Sequence, residues 1–221
     1  GIHGVDAAVV KEQTRILMDS FPVKAVKTGV LHSSAHVVAV AEVLADYKVP
    51  LVVDPAMLAA TGDPLMSQGA IDAFKDILFP SATLMTPNLA EARYLLGGEA
   101  KLVTDPIETC AKNLHEAFGC SVLVTGDHDE AAGMVIDLLM HDGQVTRIQN
   151  PWVDLPYAHG TGCTFSSAIA AGLARGKPLP EAMATGENFL MHALQDAYHW
   201  THDGRDLMAL NQLPDAVFGE G

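Results

Sequence analysis

Cysteine is scarce in this 221-residue chain: Cys110, Cys120 and Cys163 are its only three. An odd count without C-x-x-C spacing gives neither a disulfide framework nor a zinc pattern, and it fits thiols kept reduced, as in a cytoplasm. Cations are scarce as well. Thirteen Lys and Arg face 27 Asp and Glu, for a net charge of −14, and the acids are dispersed rather than gathered in runs. Such a field disfavours DNA, RNA and anionic membranes as partners. An anionic nucleotide needs local amides and a divalent cation to bind against it. Nowhere do about 18 apolar residues stand in succession, so the chain offers no membrane-spanning helix. Gly1–Asp6 lacks the basic and apolar regions of a signal peptide. No linker, repeat or low-complexity segment divides the sequence. What is abundant is apolar residue, 49% of the chain, enough for one core and a single domain over residues 1–221.

Apolar, β-branched runs alternate with helical patterns. Val23–Leu31, Val49–Asp54, Ala82–Thr86 and Ser121–Thr125 read as strands buried on both faces. Between them Val37, Val40, Ala41 and Leu44 keep helical spacing, as do Ile71, Phe74 and Leu78, and Leu114, Ala117 and Phe118. Ala132–Met140 and Val145–Gln149, around His141-Asp142-Gly143, read as an antiparallel hairpin. Thr161–Arg175 and Leu179–Trp200 read as helices, the second with Phe189, Leu190, Ala193, Leu194 and Ala197 on one face. The order predicts an α/β fold, a mostly parallel sheet with helices on both faces.

Ligands of open parallel sheets bind beyond the carboxyl ends of the strands. Lys27-Thr28-Gly29, Asp54-Pro55, Thr86-Pro87-Asn88, Thr125-Gly126-Asp127-His128 and the loop His159–Cys163 therefore predict one crevice. The last carries the sharpest chemistry. In His159-Gly160-Thr161-Gly162-Cys163 two glycines permit a tight turn, and a helix of small residues follows. Amides and the positive end of the helix dipole converge there on an anion, phosphate above all. A thiol at the first turn of such a helix has its thiolate stabilised. Asn88 and Glu91, spaced N-x-x-E, also read as a helix-capping box. His199 and His202, three apart, read as an exposed helix end rather than a metal pair, and Cys110 and Cys120 as buried small residues.

Four segments occur together in one order: Lys27-Thr28-Gly29-Val30-Leu31; Asp54-Pro55-Ala56-Met57 with Thr61-Gly62-Asp63-Pro64-Leu65; Thr86-Pro87-Asn88-Leu89-Ala90-Glu91-Ala92; and His159–Cys163. From about residue 5 to about residue 195 the chain thereby resembles the hydroxymethylpyrimidine/phosphomethylpyrimidine kinases of thiamine biosynthesis, in the ribokinase-like superfamily. The resemblance implies a three-layer α/β sandwich. It also implies transfer of the ATP γ-phosphoryl group to the hydroxymethyl of a pyrimidine, then to the resulting monophosphate. Family members open with a strand and a glycine-rich segment that have no counterpart here. Thr125 stands where many relatives carry lysine, and Val30 where many carry methionine.

By the same resemblance, Gly160, Thr161, Gly162 and Cys163 form the catalytic loop, with Cys163 as base toward the hydroxymethyl. Val30, Ala56 and Cys163 bound the pyrimidine. Asn88, Thr125, Gly160 and Gly162 hold ATP and its phosphates, and Asp54 and Glu91 organise Mg²⁺. His159, apart from the resemblance, reads either as orienting the loop or as an ordinary loop histidine. A cytoplasmic homodimer is implied. Two other readings stand beside this one: a pyridoxal- or pyridoxine-type vitamin kinase, and a non-catalytic pyrimidine-binding relative.

Overall fold

The computed structural model describes residues 3–57, 64–97, 105–129, 131–152 and 160–213. They belong to two compact units, Gly1–Trp152 and Val153–Gly221.

The first unit is built on a six-stranded sheet in which neighbours in space are neighbours in sequence. Strands β1 (Val26–Thr28), β2 (Leu51–Val53), β3 (Leu84–Met85) and β4 (Ser121–Asp129) run parallel. Strands β5 (Met134–His141) and β6 (Gln144–Pro151) continue the sheet antiparallel. Each expected strand is present, but the first three are two or three residues long, shorter than their apolar runs. Short strands suffice because their flanking residues go into loops at the sheet's ends. The β5–β6 hairpin forms about Asp142 and Gly143, both at positive φ, which matches the right-handed twist of paired strands. Alternation places Leu51, Val53, Met85, Val122 and Val124 in the main core. Val52, Leu84 and Leu123, pointing the opposite way, are equally buried, so the central strands are buried on both faces.

Helix α1 (Ala7–Ser20) precedes β1, α2 (Ser34–Leu44) follows it, α3 (Gln68–Ala73) and α4 (Phe79–Ser81) follow β2, and α5 (Leu89–Leu95) and α6 (Ile107–Phe118) follow β3. Between α3 and α4 one π-helical stretch, Phe74–Leu78, turns Phe74 and Leu78 inward. There Phe79 packs on Phe74 and Phe118 at ring-centroid distances of 5.7 and 5.0 Å. Helix α1 has no expected counterpart. Its apolar residues Val9, Ile16 and Leu17 are largely exposed, so the stripe that betrays a core helix is weak. Its start is set by Asp6, whose carboxylate accepts the Ala8 amide at 2.7 Å.

The second unit contains α7 (Thr161–Ala174) and α8 (Leu179–Gln195) packed side by side, then a hairpin of β7 (Tyr198–His202) and β8 (Arg205–Ala209). Glycines allow the close approach of the two helices. A Cβ on Gly172 would stand 2.9 Å from that of Ala182, and one on Gly186 2.9 Å from the Ile169 side chain. The expected helix Leu179–Trp200 is corrected here: it stops at Gln195, and Tyr198–His202 is strand. Tyr, Trp and Thr favour extended backbone, and Asp203-Gly204, both at positive φ, close a second tight hairpin turn. His199 and His202 accordingly lie on an exposed strand, not at a helix end. No group of three or more metal-ligating side chains occurs among the described residues.

Candidate active site

The parallel strands bring their carboxyl ends to one edge of the sheet. Register pairs Lys27 with Val52 and Val52 with Leu84. The ladder continues one residue further, Asp54 N–H donating to Thr28 O and Thr86 N–H to Val53 O, both at 3.0 Å. Period-two alternation therefore puts Lys27, Asp54 and Thr86 on the same face. Lys27 Nζ lies 3.2 Å from Asp54 Oδ2, and Asp54 is only 5% exposed. The buried hydroxyls of Thr86, on this face, and of Thr28, on the other, have no hydrogen-bond partner among the described residues. An unmet buried hydroxyl is costly in a finished core. At Thr86 it leaves an oxygen at the same sheet edge and on the same face as the Asp54 carboxylate.

Next along the edge, Asn88 and Glu91 form the expected capping box at the start of α5. The Asn88 amide donates to Glu91 Oε2 at 3.0 Å, and the Glu91 amide to Asn88 Oδ1 at 2.9 Å. The box has a further member. The Met57 amide donates to Glu91 Oε1 at 3.0 Å, so this buried carboxylate fastens the loop after β2 to the start of α5. That third bond joins residues 34 apart in sequence, and no local pattern announces it. Thr125 receives its own place from Pro87, whose carbonyl accepts the Thr125 amide at 3.1 Å. There the β4–β5 register slips, with Thr125 and Gly126 opposite Asp137 alone. The Asp137 carboxylate accepts the Gly126 amide at 2.8 Å. Such a bulge ends regular pairing and re-aims the strand.

Val30 and Ala56 sit in the loops after β1 and β2. Val30 is 47% exposed, an apolar surface open to a ligand rather than a core position. Ala56 holds φ at 35°, a conformation that a residue with a Cβ adopts at a cost of about 1 kcal/mol or more.

In the second unit Gly160 caps α7 at φ 88° and ψ 8°, a left-handed conformation in which Cβ would clash. Glycine brings no capping side chain, so helical geometry leaves the amides of Thr161 and Gly162 without an intrahelical acceptor. Gly162 is itself an ordinary helical residue with open space around it. The special backbone of the loop thus belongs to Gly160. Cys163 is an exposed thiol in the first turn. His159, with Thr61, Gly62 and Asp63 of the second motif, lies outside the described residues.

A cleft of about 520 Å³ runs from Gly160 and Cys163 along α7 toward α8. Ala168, Ala171 and Phe189 give it an apolar wall, Arg175 and Lys177 a cationic rim. Gln212 Nε2 donates to Thr164 Oγ1 at 3.0 Å and belongs to the same lining. Sequence reasoning stopped at Cys163 and missed this cleft. The stripe of small residues after the loop was a signal, but Phe189 and Gln212 reach it only through the folding of α8 and the hairpin.

No helix among the described residues is long and apolar enough to cross a membrane. Residues 1–206 match the family model described as phosphomethylpyrimidine kinase. The chain is 39% identical over 196 residues to a thiamine biosynthesis bifunctional protein of Geobacter sulfurreducens, covering 88% of this chain and 40% of that one. It is 38% identical to a hydroxymethylpyrimidine/phosphomethylpyrimidine kinase of Streptomyces coelicolor, covering 88% and 72%. The chain thus spans less than half of the first relative and nearly three quarters of the second. Among solved structures it is similar to the ADP complex of Bacillus subtilis pyridoxal kinase, with a TM-score of 0.83, 26% identity and coverage of 96% and 80%. The expected resemblance and α/β architecture are thereby established, and the chain belongs to the phosphomethylpyrimidine kinase family, kinases of ribokinase-like fold.

Proposed function

We propose that this protein transfers the γ-phosphoryl group of ATP to the hydroxymethylpyrimidine of thiamine biosynthesis and then to its monophosphate. The observation that carries the reading is the family match over residues 1–206, which takes in residues of both compact units. A relative named for this activity is 38% identical, and one named for thiamine biosynthesis is 39% identical.

Phosphoryl transfer depends on positioning and on charge stabilisation more than on covalent chemistry. In the second unit the amides of Gly160, Thr161, Gly162 and Cys163 stabilise the charge that develops on the transferred group. Cys163 accepts the proton of the attacking hydroxymethyl in the first step. The second acceptor is already a phosphate and needs little base. The α7–α8 cleft, apolar inside and cationic at its rim, suits the nucleoside part of ATP. In the first unit Val30 and Ala56 present apolar surface to the pyrimidine, and Asn88 and Thr125 offer polar contacts to phosphate.

Mg²⁺ fits the donors at the sheet edge. Asp54 is a buried carboxylate, and Thr86 Oγ1 is a buried oxygen without a hydrogen-bond partner among the described residues; hard oxygen donors suit this ion. Bound there, it neutralises phosphate charge in a protein that is otherwise strongly anionic. Glu91 gives both carboxylate oxygens to backbone amides, so its contribution to a Mg²⁺ site would be to hold the loop after Asp54 in place. A homodimer in the cytoplasm completes the proposal.

The test is turnover of purified protein with ATP and Mg²⁺ on hydroxymethylpyrimidine, its monophosphate and pyridoxal, with products separated by anion exchange. Successive mono- and diphosphate are expected from the pyrimidine. Turnover of pyridoxal alone would favour the vitamin-kinase reading, which the structural likeness to a pyridoxal kinase supports. Pyrimidine binding without ATP consumption would leave a binding module.

A further inference from the structure

Most lysines of an acidic protein decorate its surface, and Lys27 does not. The Lys112–Glu116 pair leaves its side chains 63% and 62% exposed, whereas Lys27–Asp54 leaves 17% and 8%. A buried carboxylate requires a counter-charge, and breaking such a pair leaves a charge uncompensated. The neighbouring backbone accommodates the ammonium. A Cβ on Gly29 would approach Lys27 Nζ to 3.3 Å, tighter than a side chain there would ordinarily sit, so glycine at 29 leaves room for it. The ammonium therefore lies against one of the two oxygens that Asp54 would offer a metal.

We propose that Lys27 is a positioning residue that holds Asp54 in place as a stand-in cation and is displaced when a divalent ion binds. This rests on the reading of Asp54 as a Mg²⁺ ligand. Two cations held close to one partly desolvated carboxylate repel each other, which favours release of the ammonium when the ion arrives. Metal binding is then an exchange: the ion gains Asp54, and the ammonium leaves it and becomes available to phosphate oxygens. In a site with a net anionic surround, the exchange keeps the carboxylate compensated in both states.

The experiment measures binding of Mn²⁺, a spectroscopic stand-in for Mg²⁺, by electron paramagnetic resonance, together with thermal midpoints with and without the ion. Lys27→Met is expected to bind Mn²⁺ about tenfold more tightly, since the competitor is gone. Its midpoint should fall without metal and recover with it. Lys27→Arg, which keeps the charge, should bind within about twofold of the parent. Unchanged or weaker Mn²⁺ binding by Lys27→Met, or a midpoint lowered equally with and without the ion, would overturn the exchange and leave Lys27 a structural counter-ion. Should Lys27→Met not fold, Lys27→Gln is read in the same way, with tightening expected and its absence decisive. Asp54→Asn separates the two layers. Loss of Mn²⁺ binding there with no effect at Lys27 removes the exchange alone, whereas undiminished binding removes the Asp54 reading as well.

Discussion

Cys163 and Glu91 differ in how their chemistry can be tested. For Cys163 the two proposed phosphorylation steps would provide an internal control, because only the first proposed acceptor carries a hydroxyl that must lose a proton. Cys163→Ser should slow the first step about 10²-fold or more and the second much less; equal losses in separate single-turnover measurements would mean that the residue acts through loop geometry. Cys163→Asp should retain part of the first step and damage the second by repelling the monophosphate. Glu91 is a structural matter before it is a catalytic one. A glutamine can accept one amide through its carbonyl, and the local capping box alone suggests that it would be harmless. The Met57 amide changes that, since the glutamine NH₂ group would face a second donor. Glu91→Gln should therefore lose about 1–3 kcal/mol of stability as well as Mg²⁺ response. An unchanged urea midpoint would show that one of the two amides finds another acceptor.

At the scale of elements, α7 carries both the loop proposed to hold the anion and the packing seam with α8, and glycine serves them differently. Gly160 sits at positive φ, so Gly160→Ala should cost about 1 kcal/mol or more in stability and also misdirect the first amides of the helix. Gly162 is helical and surrounded by open space. Gly162→Ala should leave the thermal midpoint unchanged or slightly higher, while lowering turnover by roughly 10²-fold if its methyl displaces the phosphate. Full activity in Gly162→Ala would place the phosphate elsewhere. Within the seam, Gly172→Ala forces a methyl against Ala182 at 2.9 Å, with Ala182 backbone at 3.0 Å behind it. Overpacking of this kind should destabilise by about 1–3 kcal/mol, read by chemical denaturation, without a specific effect on the anion loop. The β7–β8 hairpin shows how an element escapes notice: aromatic residues continuing an apolar helical pattern look like one more turn until the Asp-Gly turn beyond them is weighed.

The whole molecule responds to alkali through its buried thiols. Burial pushes Cys120 up to about 11 from an ordinary value of 9.0 and raises Cys110 as well. Below pH 9 each thiol is neutral folded or unfolded, and nothing changes. Above it the unfolded chain ionises its thiols while the folded one does not, so stability falls as pH rises through the window from about 9 to about 11. The loss should be on the order of 2–3 kcal/mol, seen as a lower urea midpoint at alkaline pH. Cys120→Ala should flatten that slope, and an identical slope in the variant would assign it to other groups.

By itself the sequence determined the alternation of strands and helices, the hairpin at Asp142-Gly143, the helix start at Gly160 and the Asn88–Glu91 cap, because each is written in residues a few positions apart. The four motifs in their order also determined the family. Tertiary structure alone decided what depends on residues distant in the chain: the Met57 amide on Glu91, the register that sets Lys27 beside Asp54, the buried Thr86 hydroxyl, and the cleft that Phe189 and Gln212 complete. Local pattern specifies which face a side chain takes, but partner and burial are settled only when the strands find their register and the helices close on one another.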